Sequence, residues 1–580
     1  MPETRPEVGA WLDRFFDSCH RHRPVDATFI GVHDHDHLLP DFSESGVGEA
    51  LADVLDLLAS SDALPGADGP GAVGPAGDAE ALDLRLARGF LRIGRWELTG
   101  GHFHRGNPSL YTGEAAFGFL SLFLGHGGSV AHRVEAAGRR LEGVASLLGA
   151  ARDNVRRAPG WWTERAIREC RGVLELLGDG VDALSTELSV DPAVLRGPAD
   201  GARRAVADHL AWLESELLSR PTRAVAAGEE ALELYLREGH FLSDSIDDLV
   251  SYAEDGMAEA EGWLRAHAGD FGADSAADVL ARLADSHPTL DGYLRRYREI
   301  WDEVRGLSER EGLITWREFP IRYVPRPMWV RKAAPYLYFL YYRSPAAYRR
   351  PPVHDYLVTP IDRSVPADRR RALLRAHSDS VIKLNHVVHH GGIGHHMQNW
   401  NAFRAASRVG RVAAVDCASR IAMTCGGTMA EGWACYATDL IAEFGGLTPL
   451  EAYAERSSRV RMCARAVVDL QLHRGRMGMD EAAAFYVERA GMSEAAARSE
   501  TVKNSMFPGG AVMYLAGTDA IHRLRREMEA LRGNDFDLRD FHDTFLSYGS
   551  VPVTLVAEAM KRREAGGPEP AGGRPEAHAR

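Results

Sequence analysis

The chain has 580 residues, a formal net charge of -14 and a sequence pI of about 6.0, so it lacks the basic surface that nucleic acids and anionic membranes require. Hydrophobic residues make up 45% of the chain and charged residues 26%, which is the composition of a globular protein. The mean hydropathy of -0.25 and the absence of a long apolar run predict no membrane-spanning segment.

The first residues, MPETRPEVGAWLDRFFDSCH, contain neither the basic nor the apolar segment of a secretory signal. The six cysteines form no CxxC pair. We therefore expect a cytoplasmic protein with reduced thiols, and we expect neither nucleic acid nor membrane among its partners.

Apolar residues recur at helical spacing along most of the chain, as in RRAVADHLAWLESELL, and predict a mainly α-helical protein. A segment rich in glycine, proline and alanine interrupts this pattern near the N-terminus, and a similar segment ends the chain. The predicted organisation is N-terminal helices at 1–60, a flexible linker at 61–80, a helical subdomain at 81–315, a second subdomain at 316–563 and a disordered tail at 564–580.

Two short segments depart from the helical pattern. EFPIRYVP at 318–325 and HDYLVTPID at 354–362 contain β-branched and aromatic residues in alternation next to prolines. We expect them to form a small antiparallel sheet beside a functional cleft. The chain contains no GxxxxGK[ST] phosphate loop and no GxSxG nucleophile elbow, so nucleotide-driven and serine-hydrolase chemistry have no support in the sequence.

The segment NHVVHHGGIGHHMQNW holds the densest group of potential metal ligands in the chain. Its histidines are His386, His389, His390, His395 and His396. Clustered imidazoles repel one another when charged, whereas a divalent cation stabilises them as neutral ligands. A metal site is therefore predicted on a helix that begins near Pro366, and the alternative is a solvent-exposed, histidine-rich turn.

His389 and His395 are six residues apart, which in a straight helix separates them by about 9 Å along the axis and puts them on different sides. Both can reach one ion only if the helix bulges or breaks between them. Gly391, Gly392 and Gly394 supply the backbone freedom for such a break.

A third ligand is expected from a later helix, as in metallopeptidases with a downstream glutamate. Glu431 lies in TMAEGWACYATDLIAEF, an otherwise apolar segment in which a carboxylate is costly unless it is paired or metal-bound. The alternative is a salt bridge to Arg420. Zn²⁺ is the expected ion, and Fe²⁺ and Mn²⁺ are alternatives because histidine and carboxylate ligands suit them as well.

Around these residues the sequence resembles the bacterial domain of unknown function family 885, whose motif is H-E-x-x-P-G-H-H followed by E-G-W-A. Further segments carry the resemblance along nearly the whole chain: DATFIGVHDHDHLLPDFSES, PAAYRRPPVHDYLVTP, SETVKNSMFPGGAVMYLAG and FHDTFLSYGSVPVTLV. The resemblance implies a large helical fold similar to that of zinc metallopeptidases. It also implies His389, His395 and Glu431 as metal ligands and His396 as an adjacent supporting or catalytic residue.

The sequence departs from the family pattern after the first ligand, where His390 replaces a glutamate that activates water in the peptidase analogy. A histidine there can act as a general base or as a fourth protein ligand, so the reaction class stays open. Further departures are Ile393 for proline, Lys503 and Asn504 for arginine and tyrosine, Gly510 for glutamine and Leu515 for lysine.

Four other residues are candidates by resemblance or analogy. Tyr514 matches a family tyrosine and is a candidate hydrogen-bond donor to a substrate oxyanion, or else a buried tyrosine. Lys503 is a candidate partner of a substrate carboxylate, or else a surface lysine. Tyr356 and His354 are expected to line the cleft, as edge strands do in metallopeptidases. The segment HDHDH at 33–37 is interpreted as a capped turn rather than as a second metal site.

Together these features predict a metal-dependent enzyme that hydrolyses or otherwise cleaves an amide, a peptide-like substrate or a carboxylated small molecule, in specialised metabolism. The alternatives are a non-hydrolytic metal-dependent lyase or isomerase, a pseudoenzyme that binds a ligand without turnover, and a structural metal. The structural metal would be bound by His389, His395, His396 and Glu431.

Overall fold

A computed structural model describes residues 5–64, 75–125, 127–337, 342–414 and 426–565. The predicted tail lies outside these residues from position 566 onward, and so does Arg420, the alternative partner of Glu431. Within the predicted linker at 61–80, residues 65–74 lie outside the described chain. Residues 75–80 already belong to a helix, so the linker ends earlier than predicted.

The prediction of a mainly α-helical protein is confirmed. The described chain up to residue 310 forms α1 (Pro6–His22), α2 (Pro24–Ile30), α3 (Glu44–Ser61), α4 (Pro75–Thr99), α5 (Pro108–Leu124), α6 (Val130–Asn154), α7 (Gly160–Glu175), α8 (Val181–Leu188), α9 (Ala193–Trp212), α10 (Glu229–Leu234), α11 (Ile246–His267), α12 (Ala276–Leu283) and α13 (Tyr293–Arg310). Short π-helical segments at Leu176–Gly180, Leu213–Leu217 and Tyr235–Gly239 extend α7, α9 and α10.

The rest of the described chain contains both strands and the predicted site. It forms β1 (Ile321–Pro325), α14 (Met328–Arg331), β2 (His354–Val358), α15 (Ala367–Ala376), α16 (Asp379–Val381), a π-helical segment at Ile382–Gly391, α17 (His395–Ala402), α18 (Gly427–Glu443), α19 (Pro449–His473), α20 (Met479–Ala490), α21 (Glu494–Met506), α22 (Val512–Arg532), α23 (Leu538–Ser547) and α24 (Val553–Glu564).

The two strands pair in parallel, so the prediction of an antiparallel sheet is wrong. Tyr323 of β1 lies opposite Tyr356 of β2, and Ile321 lies opposite His354. A parallel pair needs a crossover connection instead of a tight hairpin. The described residues between the two strands, 326–337 and 342–353, include α14 and belong to this connection.

The described helices pack around three larger hydrophobic cores. The first contains Trp11, Tyr297 and Trp433 among many others, and therefore joins segments from both sides of the subdomain boundary predicted at residue 315. The second gathers α5 to α9 around residues such as Phe119, and the third packs α10 to α12 against the later helices α19 to α22. Each helix within the described residues is too short or too polar to cross a lipid bilayer.

Candidate metal centre

The helix that carries the histidines breaks between the predicted ligands, as the glycine spacing predicts. The π-helical segment ends at Gly391, and the backbone leaves helical geometry at Gly392 (φ −117°, ψ −123°) and Gly394 (φ −69°, ψ −125°) before α17 begins at His395. A Cβ at Gly394 would collide with the carbonyl oxygens of Val388 and His389. Glycine is thus required there by close backbone approach.

The start of this helix differs from the prediction. The helix near Pro366 ends at Ala376, and a new helix begins after Ser378, whose side chain accepts a hydrogen bond from the backbone N–H of Val381. Ser378 is a favourable N-cap residue, so the chain restarts there. The histidines therefore lie on a separate, locally widened helix.

This break brings together four side chains that could serve as metal ligands. One ring nitrogen from each of His389, His390 and His395 lies within 4.8 Å of the other two. From α18, Oε2 of Glu431 lies 3.2 Å from Nε2 of His389 and 3.7 Å from Nε2 of His395. The three ligands predicted from the sequence thus converge, and His390 joins them.

The ring of His390 is fixed by the backbone. Its Nδ1 lies 2.6 Å from the carbonyl oxygen of Asn385, which can only accept a hydrogen bond. Nδ1 must then carry the proton, and Nε2 is left with its lone pair. A histidine held in this way is oriented like a metal ligand, whose second ring nitrogen normally donates to a carbonyl or carboxylate.

The electrostatic state of the cluster matches that of a ligand set. Burial lowers the pKa of His389, and burial together with the neighbouring histidines holds the pKa of His390 well below its usual value. Burial alone would raise the pKa of Glu431, but His395 and His389 hold it well below its usual range. The lowered pKa values of His389 and His390 favour deprotonated imidazoles, and the lowered pKa of Glu431 favours the carboxylate, which are the forms that bind a divalent cation.

Oε2 of Glu431 supplies a direct test of fit. This oxygen is buried and accepts no hydrogen bond from any residue that the structure describes. A buried carboxylate oxygen without a donor is costly, and a cation among the imidazole nitrogens would satisfy it. The residues present therefore fit a divalent metal.

The cluster lies in the wall of a cavity of about 790 Å³, which is in the size range of small-molecule sites. His389, His390, His395 and Glu431 all line it. The rest of the lining comes mainly from the segment 375–385 and from α18 and α19, with Tyr514 from α22.

A family model described as "Bacterial protein of unknown function (DUF885)" matches residues 24–560. The chain belongs to this family. Comparison with curated proteins gives no significant match.

Two solved structures share the fold of this DUF885 protein. One is titled "The structure of a putative lipoprotein of unknown function from Shewanella oneidensis"; it is 20% identical with a TM-score of 0.74, and the alignment covers 96% of this chain and 99% of the other. The second is a "putative lipoprotein from Colwellia psychrerythraea", 15% identical with a TM-score of 0.73 and the same coverage. At these identities the likeness concerns the fold alone.

In this DUF885 protein His396 lies behind the cluster and is not among the residues that line the cavity. Its Nε2 donates to the carbonyl oxygen of Phe319 at 2.7 Å, and its ring stacks on the Phe319 ring at 4.4 Å. Burial lowers the pKa of His396 to about 4. The geometry gives His396 a supporting place, tying α17 to the segment before β1, and not a place among the ligands or reacting groups.

Tyr514 lines the cavity, as expected for a residue that contacts substrate. The Arg465 guanidinium lies 4.8 Å from the centre of its ring and the Lys503 ammonium 5.7 Å. Lys503 itself lies outside the cavity lining, 3.8 Å from a carboxylate oxygen of Glu500. The structure therefore places Lys503 behind Tyr514.

Tyr356 and His354 also lie outside the lining of this cavity. Both project from the buried face of β2, and the Tyr356 hydroxyl lies 2.7 Å from Nδ1 of His386. The ring of His354 packs against those of Phe319 and His396. These residues support the histidine helix from behind, because the strand packs into the core.

Among the polar residues of the cavity that sequence reasoning missed are Cys435, Glu455, Arg461 and Arg465. Cys435 follows Glu431 by one helical turn, so α18 periodicity alone could have found it. The two arginines are also one turn apart on α19, but in an arginine-rich chain that spacing carries no signal.

Proposed function

We propose that this DUF885 protein is a metal-dependent enzyme that cleaves an amide, a peptide-like substrate or a carboxylated small molecule in the 790 Å³ cavity. The observation that carries the proposal is the convergence of His389, His390, His395 and the unsatisfied Oε2 of Glu431 on one point of the cavity wall. A divalent ion held there would polarise a substrate carbonyl.

We assign His390 as a fourth ligand, because its Nδ1 is engaged by Asn385 and its ring lies among the other ligands. This assignment bears on metal identity. Zinc with four protein ligands has a closed, structural site, whereas six-coordinate Fe²⁺ or Mn²⁺ with the same ligands keeps two positions for substrate. Catalysis therefore favours Fe²⁺ or Mn²⁺ when His390 binds, and zinc when it does not.

Tyr514 is the residue of the lining that we assign to substrate orientation. Its hydroxyl can donate a hydrogen bond to a substrate oxygen, and the Arg465 guanidinium over its ring favours a polarised hydroxyl.

A non-hydrolytic lyase or isomerase is the second candidate, and one observation favours it. The position that carries the water-activating glutamate in the family motif is His390, whose ring is held by a backbone carbonyl. Elimination or isomerisation needs no activated water, so this change affects those reactions less than hydrolysis.

Metal content tests the proposal. Protein without a histidine tag is loaded with Zn²⁺, Fe²⁺ or Mn²⁺ under matched conditions and measured by elemental analysis. We expect about one ion per chain in the wild type, loss in His389→Ala and Glu431→Ala, and retention in the control His37→Ala, which removes an exposed histidine from the turn at 33–37. A wild type that binds none of these ions at neutral pH overturns the proposal.

Turnover is tested on the loaded protein. N-acylated amino acids and dipeptides are incubated with it, and mass spectrometry identifies the products. Addition of water to the products indicates hydrolysis, and products without added water indicate a lyase or isomerase. Metal binding without any turnover supports the pseudoenzyme alternative.

A further inference from the structure

One wall of the cavity runs away from the metal centre along α18 and α19. Glu431, Cys435 and Thr438 line it from α18. The Thr438 hydroxyl donates a hydrogen bond to Oε1 of Glu455 on α19 at 3.1 Å. With a rise of about 1.5 Å per residue, Thr438 lies about 10 Å along the helix from Glu431, so Glu455 marks the far part of the cavity.

Two arginines of α19, Arg461 and Arg465, lie on this wall. The charge of Arg465 is neutralised within the protein. Nε of Arg465 donates to Oε1 of Glu500 at 2.8 Å, and its guanidinium stacks on Tyr514. Arg375, across the cavity, forms an ion pair with Asp285. Both of these charges are compensated within the protein.

Arg461 differs from them. Its guanidinium donates a hydrogen bond to the Ser458 hydroxyl at 2.8 Å, and within the described residues it forms no ion pair with a carboxylate. The acidic groups that face it, Glu455 and Glu500, already accept hydrogen bonds from Thr438 and Arg465. The side chain of Arg461 is exposed to the cavity although protein surrounds it.

The surroundings of Arg461 increase the cost of its isolated charge. Burial, and then the charge of Arg465, lower its pKa. Glu455 compensates it poorly, because burial and the nearby Asp439 raise the pKa of Glu455 to about 7. Since Arg461 is exposed to the cavity and has no carboxylate partner among the described residues, an anion that enters the cavity can pair with its guanidinium.

We propose that Arg461 binds a carboxylate of the substrate, so that the molecule processed at the metal centre carries a carboxylate at a distance from its reacting carbonyl. This inference rests on the proposed function and narrows its substrate class. A planar guanidinium pairs with a carboxylate through parallel hydrogen bonds, which fix both distance and orientation. Because Arg461 carries one positive charge without a carboxylate partner within the described chain, it suits a ligand group with a single negative charge.

Matched ligands test the proposal by calorimetry. The monohydroxamates of succinic, glutaric, adipic and suberic acid carry a metal-binding group at one end and a carboxylate at the other, and their amide analogues lack the charge. On metal-loaded wild type we expect one chain length to bind roughly tenfold to a hundredfold more tightly than its amide. Arg461→Met should abolish that preference, and Arg461→Lys should restore part of it.

Arg375→Met is the matched control, because it removes a cavity arginine that has its own partner. It should keep the preference for the carboxylate. Tight hydroxamate binding with equal affinities for acid and amide at every length, or a preference that persists in Arg461→Met, overturns the inference while leaving the metal centre intact. Circular dichroism and the Tm of Arg461→Met check that the variant is folded.

If the protein takes up no metal, a second experiment tests the anion site at Arg461. Glutarate and glutaramide are then titrated into metal-free wild type and Arg461→Met. Preferential binding of glutarate that depends on Arg461 supports the anion site although the proposed function has failed. Failure of glutarate to bind the wild type better than glutaramide or better than the variant overturns the anion site as well. Inorganic phosphate binding more tightly than glutarate overturns the assignment to a carboxylate.

Discussion

Oε2 of Glu431 lies 3.2 Å from Nε2 of His389 and accepts no hydrogen bond from the described residues. Without a metal, an ionised carboxylate in this position is stabilised only by the neighbouring His389 and His395, which compensate its charge in part. The arrangement is therefore less stable without a cation than with one, and metal should contribute to folding stability as well as to chemistry.

Metal addition should raise the Tm of the wild type, because an ion that binds only the folded state stabilises it by about 2.7 kcal/mol at a free concentration a hundred times Kd. Glu431→Gln should lose this response. In the absence of metal the same variant should be less stable than the wild type at neutral pH, because the lowered pKa of Glu431 means that its ionised form stabilises the folded state. Differential scanning calorimetry with and without metal measures both effects, and equal metal responses of the two proteins would contradict the prediction.

The break in the histidine helix was predictable because it follows from chain geometry. Two ligands six residues apart cannot share an ion on a regular helix, and the glycines between them indicate where the helix breaks. The direction of strand pairing was not predictable in this way. Alternation in HDYLVTPID identifies two faces of a strand, but it contains no information about which way the partner strand runs.

The roles of the cavity residues of α19 could not be predicted from the sequence either. Arg461 differs from Arg465 because Glu500, on another helix, binds only the latter. Such differences arise from tertiary packing, which no local pattern records. The orientation of His390 likewise depends on the carbonyl of Asn385, which the widened π-helical segment presents to it.

Gly394→Ala should disrupt the metal centre although it changes no ligand. The added methyl group would collide with the carbonyl oxygens of Val388 and His389, so the break must shift and His395 must move with it. We expect a loss of roughly 1–3 kcal/mol in the free energy of unfolding and weaker metal binding, measured by denaturant titration and by metal competition.

The matched control for this variant is Gly138→Ala in α6, where an added methyl group meets nothing within 4 Å. It should stabilise the protein by roughly 0.5–1 kcal/mol and leave metal affinity unchanged, because alanine is the better helix former. A harmless Gly394→Ala would show that the histidine helix does not require this break.

His396→Ala should keep the metal and lose stability. Nε2 of His396 donates to Phe319 and its ring stacks there, so removal leaves a buried carbonyl without its donor. The expected loss is roughly 1–3 kcal/mol in the free energy of unfolding for the carbonyl, with a further loss for the ring contact. Metal analysis beside denaturant titration separates this supporting role from ligation, and release of the metal with unchanged stability would identify His396 as a ligand.

His209→Leu should stabilise the protein, and more so in acid. His209 is buried in the second core and neither ring nitrogen has a hydrogen-bond partner within the described chain. Replacing it should add roughly 1–3 kcal/mol to the free energy of unfolding at neutral pH.

The acid dependence of this effect follows from the pKa of His209, which burial, and to a lesser extent Arg152, lower from 6.5 to about 3. Since the folded pKa lies below the unfolded one, the wild type loses stability as the pH falls from 6.5 towards 3, by up to about 1.36 kcal/mol per unit. The leucine variant lacks this loss. Denaturant titrations at pH 7 and pH 5 should therefore give a larger difference at the lower pH, and the same difference at both pH values would contradict the prediction.

His390→Ala distinguishes the two roles open to that residue. If His390 is a ligand, its removal should weaken metal binding by at least the roughly 10–100-fold that loss of an outer-shell partner costs. His390→Glu should bind metal more tightly than His390→Ala, because a carboxylate can also coordinate the ion. Metal competition against a chromogenic chelator measures all three proteins. If the alanine variant instead binds metal with wild-type affinity and only turnover is lost, His390 moves protons rather than binding the metal, and the centre keeps the open coordination position of a hydrolytic zinc site.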